Sequence, residues 1–235
     1  MSGYRWHGEI RSVLACVENA RDLGGYPLAD EGFTKKGRVI RCEVPLKLTE
    51  NDLTYLKNNG FTTVIDLRDG AAAEKFPHGL RNRDGFDYYS CTVNAGSRPA
   101  EIPEEVPRTY LEITKEPEFL RAWRIFSRAR DGVIYNCTAG RDRTGTFSMI
   151  LLMHTGVLTD AVIEDYLVTK EYNYHRFEKI KVERPHINLD AVCPRKWYAE
   201  EFLRLFTGAY GTTENYFREI GLNNDEIMRI RAKLR

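Results

Sequence analysis

One stretch of the 235-residue chain gathers the residue types that nucleophilic chemistry needs: Cys137, Thr138, Ala139, Gly140, Arg141, Asp142, Arg143, Thr144 and Gly145 in succession. A short apolar and β-branched run at 132–135 precedes it, and an apolar segment of helical length at 144–155 follows, stopped by Gly156. A strand therefore feeds a tight loop that opens a helix. Backbone N–H groups in such a loop can converge on one point, where the helix N-terminus adds unpaired donors and the positive end of its dipole. That point suits a phosphate. With Arg143 six positions after Cys137, the thiol can lie beneath the phosphorus while the guanidinium forks around two of its oxygens. A free cysteine titrates near pH ~8.5, and a helix N-terminus plus a cation lowers that, which makes a thiolate available at neutral pH.

The chemistry expected is phosphomonoester hydrolysis in two steps. Thiolate Cys137 attacks phosphorus, and the loop residues Thr138, Ala139, Gly140 and Arg141, with Arg143, hold the oxygens. Water then hydrolyses the cysteinyl phosphate, and Thr144 is placed to donate to the departing thiolate. A carboxylic acid must protonate the leaving oxygen. Three other uses of the loop stay open. A sulfurtransferase loop is expected to be shorter than the five residues between Cys137 and Arg143; an arsenate reductase would want a resolving cysteine, for which Cys42 and Cys91 are the candidates; a non-catalytic phosphate-binding module would be expected to have lost Cys137 or Arg143.

The elements that must position this loop are legible along the chain. Residues 10–17 are apolar enough for an edge strand, leading into Asn19, Arg21 and Asp22 beside the turn of Gly24 and Gly25. Residues 38–41 read as a strand. Thr49 and Asp52 form a capping box for a helix that Gly60 ends, and residues 61–65 form a buried strand finishing in Asp66, Leu67 and Arg68. Strand, helix, strand suggests a parallel pair, with ligands gathering at its carboxyl edge, where Asp66 and Arg68 would lie. Asp22, Asp66 and Arg68 are expected to face the loop, the alternative being a structural turn and a loop-capping ion pair. Residues 69–84 read as a surface loop with a short helical piece, 86–93 as a strand, and 94–107 as an exposed loop, either linker or lid.

Beyond the loop the pattern is helical. Leu120, Trp123 and Phe126 already stripe a helix before it, and Met149, Ile150, Leu152 and Met153 make the helix behind Cys137 apolar on more than one face. Tyr172, Tyr174, His175 and Phe177 are expected in the core. Residues 197–206 form an amphipathic helix ending at Gly208, Thr212 or Thr213 opens another, and Asn223 with Glu226 caps the last. The fold class expected is α/β: a central, mostly parallel sheet of four to five strands flanked by helices, with a helix-rich C-terminal half. One domain, 1–235, is expected.

Composition narrows the classes. The net charge of +1 argues against a nucleic-acid binder that relies on a basic surface, though not against a local basic pocket. Five cysteines without C-x-x-C spacing point to a reducing compartment, and the N-terminus lacks the apolar core of a signal peptide. A cytoplasmic location without membrane insertion is expected, while secretion without a leader would leave no mark. The five histidines show no ligand spacing, so neither metal nor cofactor is expected. The oligomeric state is open.

The stretch Cys137 to Gly145 resembles the C-x-A-G-[KR]-D-R-T-G phosphate loop of the atypical, bacterial and fungal type of tyrosine phosphatase, related to dual-specificity and phosphoinositide phosphatases. Asn19 to Tyr26 resembles the family's N-x-R-D-L-G-G-Y segment, Asp66-Leu67-Arg68 its D-L-R strand end, and Tyr210 to Phe217 its Y-G-x-x-E-N-Y-[LF] helix. The resemblance spans nearly the whole chain. It implies a metal-independent phosphatase acting on phosphotyrosine proteins, and on phosphoinositides if Arg141 adds a second cation to the loop. It also implies that Asp142 is the acid, with a helix cap as the alternative and Asp66 as reserve acid or as the residue that orients Arg143. Two departures are visible: Asn136 stands where the family has histidine before the nucleophile, and Cys42 follows Arg41 where the family tends to have serine.

Overall fold

The computed structural model describes residues 12–235. Five strands, β1 Arg21–Asp22, β2 Val39–Glu43, β3 Phe61–Asp66, β4 Asp87–Ser90 and β5 Gly132–Cys137, form one sheet in the order β1-β2-β5-β3-β4. All neighbours are parallel except β1, which runs against β2. The strands at 38–41 and 61–65 share a direction as expected, yet they are not neighbours. The six-residue β5 is buried throughout and takes the place between them, where both of its edges are paired.

The described residues also hold α1 Glu50–Asn58, α2 Gly70–Lys75, α3 Glu105–Ile113, α4 Pro117–Arg128, α5 Asp142–Thr155 and α6 Thr159–Tyr172. Helices α7 Tyr174–Glu183, α8 Leu189–Val192, α9 Lys196–Tyr210, α10 Thr213–Glu219 and α11 Asn224–Ala232 complete the C-terminal half. The class is therefore the expected α/β architecture. Both capping boxes form as the sequence pattern requires, Thr49 with Asp52 and Asn223 with Glu226.

Alternation along β5 divides the core. Val133, Tyr135 and Cys137 join the larger apolar layer, with α4, α5 and α6, while Ile134 joins Ile40, Cys42, Val64 and Leu56 on the other face. The ring of Phe147 on α5 stacks on Trp123 of α4 at 3.6 Å between centroids, with Phe119 and Phe126 packed edge-on. The helix behind Cys137 is thus locked from several sides.

Four expectations change. The edge strand at 10–17 lies partly outside the described residues, and 12–17 is a series of turns; there the Ala15 N–H donates to Asp52 Oδ1 at 2.7 Å and the Ser12 hydroxyl to the Val17 carbonyl, groups that a ladder would need. The loop expected to run from 94 to 107 ends earlier, because α3 begins at Glu105. Helix α9 passes Gly208 and stops at Gly211, whose φ of 72° suits a residue without Cβ. Burial of Tyr198, Phe202 and Phe206 along one face outweighs the roughly 1 kcal/mol that a mid-helix glycine costs. Of the aromatics expected in the core near α7, only Phe177 is buried; Tyr174 is 59% exposed, and Tyr172 lies under the Arg21 guanidinium at 5.2 Å.

Candidate active site

The loop between β5 and α5 is shaped from behind. The Ala139 carbonyl accepts from the side-chain amides of Asn19 (3.0 Å) and Asn173 (2.9 Å), and the Gly140 carbonyl accepts from Asn19 (2.9 Å) and from the Arg41 guanidinium. In a trans peptide the carbonyl and the following N–H point in opposite directions. Drawing these two carbonyls outward therefore turns the N–H groups of Gly140 and Arg141 inward, toward the space above Cys137. Gly140 has φ of 64°, and a Cβ there would lie 2.6 Å from the Cys42 carbonyl oxygen, so no side chain fits.

Buried ion pairs hold these partners. Asp165 on α6 accepts from Arg21 Nε at 2.7 Å and Arg41 Nη1 at 2.6 Å, and its Oδ1 also accepts from the Tyr26 hydroxyl at 2.7 Å. All of these residues are buried. Burial works against the Arg21 charge, but Asp165 more than offsets it and holds the guanidinium above its usual range. The segment 19–26 thus acts as a scaffold for the loop, with Asn19 itself in the left-handed region at φ 54°.

Cys137 is 2% exposed. Burial pushes its thiol up, yet the Arg143 guanidinium and the Thr144 hydroxyl and N–H outweigh that, leaving the thiol below its ordinary range. The Thr144 hydroxyl is buried with no nitrogen or oxygen partner, so the sulfur is what it serves. Arg143 is anchored by Nη1 on the Val93 carbonyl (2.9 Å), and its Nη2 lies 3.4 Å from Thr138 Oγ1. Its Nε is a buried donor without a partner. Inward N–H groups, an unspent guanidinium N–H and an acidified thiol make a site for a tetrahedral oxyanion above a nucleophile.

A family model described as the tyrosine phosphatase family matches residues 13–235. The chain belongs to the tyrosine phosphatase family. It is a protein-tyrosine-phosphatase-like enzyme, similar over 224 residues to a protein of Cupriavidus necator provisionally assigned as a tyrosine-protein phosphatase, at 26% identity over 86% of this chain and 81% of that one. A tyrosine-protein phosphatase of Nostoc commune is 24% identical over 80% of this chain and 71% of its own length. Among solved structures, P. aeruginosa TpbA is 14% identical with a TM-score of 0.37, over 87% of this chain and 92% of that one.

The phosphatase's carboxylates are arranged differently from expectation. Among the described residues Asp66 makes no hydrogen bond to the loop, and the partners it has argue against its serving as acid. Its oxygens accept from Arg68 Nε and Nη2 (3.0 and 2.7 Å), the Tyr88 hydroxyl (2.8 Å) and Asn136 Nδ2 (3.0 Å). Burial raises its pKa, but the Arg68 bonds prevail and hold it below the usual carboxylate range. Nor does it orient Arg143; the carboxylate on that side is Asp69, whose Oδ2 lies 3.6 Å from Arg143 Nη1 while Oδ1 caps α2. Asp22 takes the structural reading, accepting from the Gly24 and Gly37 N–H groups. Arg68 turns to the Phe76 carbonyl at 2.7 Å.

Asp142 is not a helix cap either. Its carboxylate accepts from Arg141 Nε and Nη2, both at 2.8 Å, and from the Tyr110 hydroxyl at 2.8 Å. Arg141 is accordingly a buried, paired cation, so only its backbone N–H is directed to the loop. Cys42 faces the layer opposite the one that holds Cys137, burial pushes the Cys91 thiol up to about 12, and all five cysteines are free thiols. Neither residue suits a resolving role.

Asn136 has a partner that the sequence reading passed over. His78 Nδ1 accepts from the Leu80 N–H at 3.0 Å, so its proton sits on Nε2 and is donated to Asn136 Oδ1 at 3.1 Å. Asn136 then donates to Asp66, which completes a relay directly before Cys137. An asparagine with a neutral histidine on it thus occupies the place where the family has histidine. Burial lowers the His78 pKa from about 6.5 to about 4. The unfolded chain takes up that proton first as pH falls, so stability is full above about pH 6.5 and declines toward pH 4, by about 3 kcal/mol in total. Urea unfolding of the native chain and of His78→Ala across this range should show that slope only in the former; equal slopes would assign it elsewhere.

Proposed function

We propose that the chain hydrolyses phosphotyrosine in proteins through a cysteinyl-phosphate intermediate. The observation that carries this reading is the acidified, buried thiol of Cys137 beneath inward N–H groups, with the Thr144 hydroxyl on its sulfur and Arg143 Nε unspent beside it. A nucleophile 2% exposed favours a phosphoryl group delivered at the tip of a long flat side chain over one borne on short phosphoserine. The names of the two curated relatives support the same substrate class.

Asp142 is the proposed proton donor, and it works once the substrate phosphate draws Arg141 away from it. The Asp142→Asn variant should then lose about 10²- to 10³-fold in kcat on alkyl phosphates and little on a nitrophenyl ester, whose leaving group needs no proton. Asp69 is a second reading, because it is the other carboxylate beside Arg143 and its Oδ2 keeps only a 3.6 Å contact. If Asp69→Asn reproduces the leaving-group dependence and Asp142→Asn does not, the acid is Asp69. Phosphoinositide hydrolysis is the weaker reading, because Arg141, the second cation it would use, is paired with Asp142; phosphotyrosine peptides should be turned over faster than inositol lipids.

The deciding experiment is rapid quench with a chromogenic aryl phosphate, followed by mass analysis of the peptide that contains Cys137. A phosphoryl adduct on that residue is expected. Folded protein that releases no phosphate and carries no adduct would favour a phosphate-binding module instead.

A further inference from the structure

The end of the sheet opposite Cys137 holds a second concentration of charge. Lys35, Arg38, Arg128, Arg130, Arg229 and Lys233 line one cavity of about 500 Å³, and the rest of its wall is serine and alanine. Among the described residues no carboxylate lines it. The chain as a whole carries a net charge of only +1, so this one-sided lining does not follow from composition.

Two of the six cations have structural work. Lys233 Nζ donates to the carbonyls of Ala129 (2.5 Å) and Asp131 (3.1 Å), which closes the C-terminus of α4, and Arg128 pairs with Glu226 at 2.9 Å. The other four, Lys35, Arg38, Arg130 and Arg229, are exposed and make no ion pair with a carboxylate among the described residues. Burial, and after it the Arg38 charge, hold the Lys233 ammonium below its usual range although the Asp131 carboxylate acts the other way. Like charges around a concave space repel one another, and an anion seated among them removes that cost.

Arg38 immediately precedes β2, and Arg130 lies just ahead of β5, parallel strands whose far ends carry Glu43 and Cys137. At ~3.3 Å per residue, β5 alone sets the cavity roughly 17 Å from the nucleophile. It is therefore not an extension of the phosphate loop.

We propose that this cavity binds an anion carrying two or more phosphate groups, forked by the guanidiniums of Arg38 and Arg229, at a site distinct from Cys137. Four unpaired cations match a ligand of several negative charges, and guanidinium forks fit phosphate oxygens two at a time. Such a ligand could be a soluble polyphosphate or the headgroup of a phosphorylated lipid.

Calorimetric titration of the full chain with tripolyphosphate, and sedimentation with phosphatidylcholine vesicles containing phosphatidylinositol bisphosphate, separate these sources. Binding of either probe is expected to persist in Arg143→Ala. It should weaken by at least about tenfold in the double variant Arg38→Ala, Arg229→Ala, whose kcat/KM on an aryl phosphate stays unchanged. Tripolyphosphate should not compete with the aryl phosphate for turnover, a test that needs no variant. The proposal is overturned if neither probe binds, if the double variant binds as tightly as the native chain, or if inhibition is competitive with a constant equal to the binding constant.

Discussion

Replacing Cys137 with serine should reduce turnover of an aryl phosphate by at least about a thousandfold while leaving phosphate binding intact. A serine hydroxyl is far harder to ionise than a thiol, and at a position 2% exposed the cost of burying an oxyanion is added to that. Arg143 and Thr144 outweigh burial for sulfur; they have more to overcome for oxygen. The donors proposed to hold the phosphate are backbone N–H groups and Arg143, which the substitution does not touch, and loss of the thiolate removes a repulsion toward the incoming dianion. KM should therefore hold or fall as kcat collapses. Steady-state kinetics on the variant decide the matter: residual activity within tenfold of the native chain would sink the assignment of Cys137 as nucleophile. In the native chain, kcat/KM should decline as pH drops through the lowered pKa of Cys137, and that acidic limb should vanish in the variant.

The largest stability effect is expected at Asp165, which no bound substrate would touch. Its carboxylate lies between Arg21 and Arg41, all three buried, and Tyr26 adds a hydrogen bond. Asp165→Ala would leave two guanidiniums in the interior without their counter-charge. Breaking a buried ion pair from one side typically costs about 3–5 kcal/mol. For a chain of this length each kcal/mol shifts the melting temperature by ~2–4 °C, so a drop of roughly 10 °C is predicted. Differential scanning calorimetry checks it, and a shift under two degrees would show that the arginines find other partners. The same variant should lose activity at temperatures where it remains folded, because Arg41 and Asn19 hold the Gly140 carbonyl only while the network is intact.

These two residues mark the boundary of what could be read beforehand. Cys137, Arg143 and the helix behind them follow from local pattern, because a strand, a glycine-bearing turn and a helix start are contiguous in sequence. Both capping boxes and the sheet class were legible for the same reason. Asp165 and Asn173 carry no such signal: a carboxylate on a helix, or an amide in the turn between two helices, looks like solvated surface until the helices are packed. His78 was hidden in a stretch that read as a surface loop, and only the return of that loop against β5 brings it to Asn136. The position of β5 between β2 and β3 was likewise decided by long-range pairing, on which periodicity is silent.

The sequence by itself singled out Cys137, Arg143 and the kind of loop they share, since those depend on neighbours a few residues apart. Only the tertiary structure decided how the loop is held and which carboxylates are available to it. Its outward carbonyls are gripped by side chains 34, 99 and 120 positions away, and Asp66, Asp69 and Asp142 are told apart by the cations each one meets. Backbone direction and carboxylate availability are properties of the partner across space, and a partner across space is not written in local order.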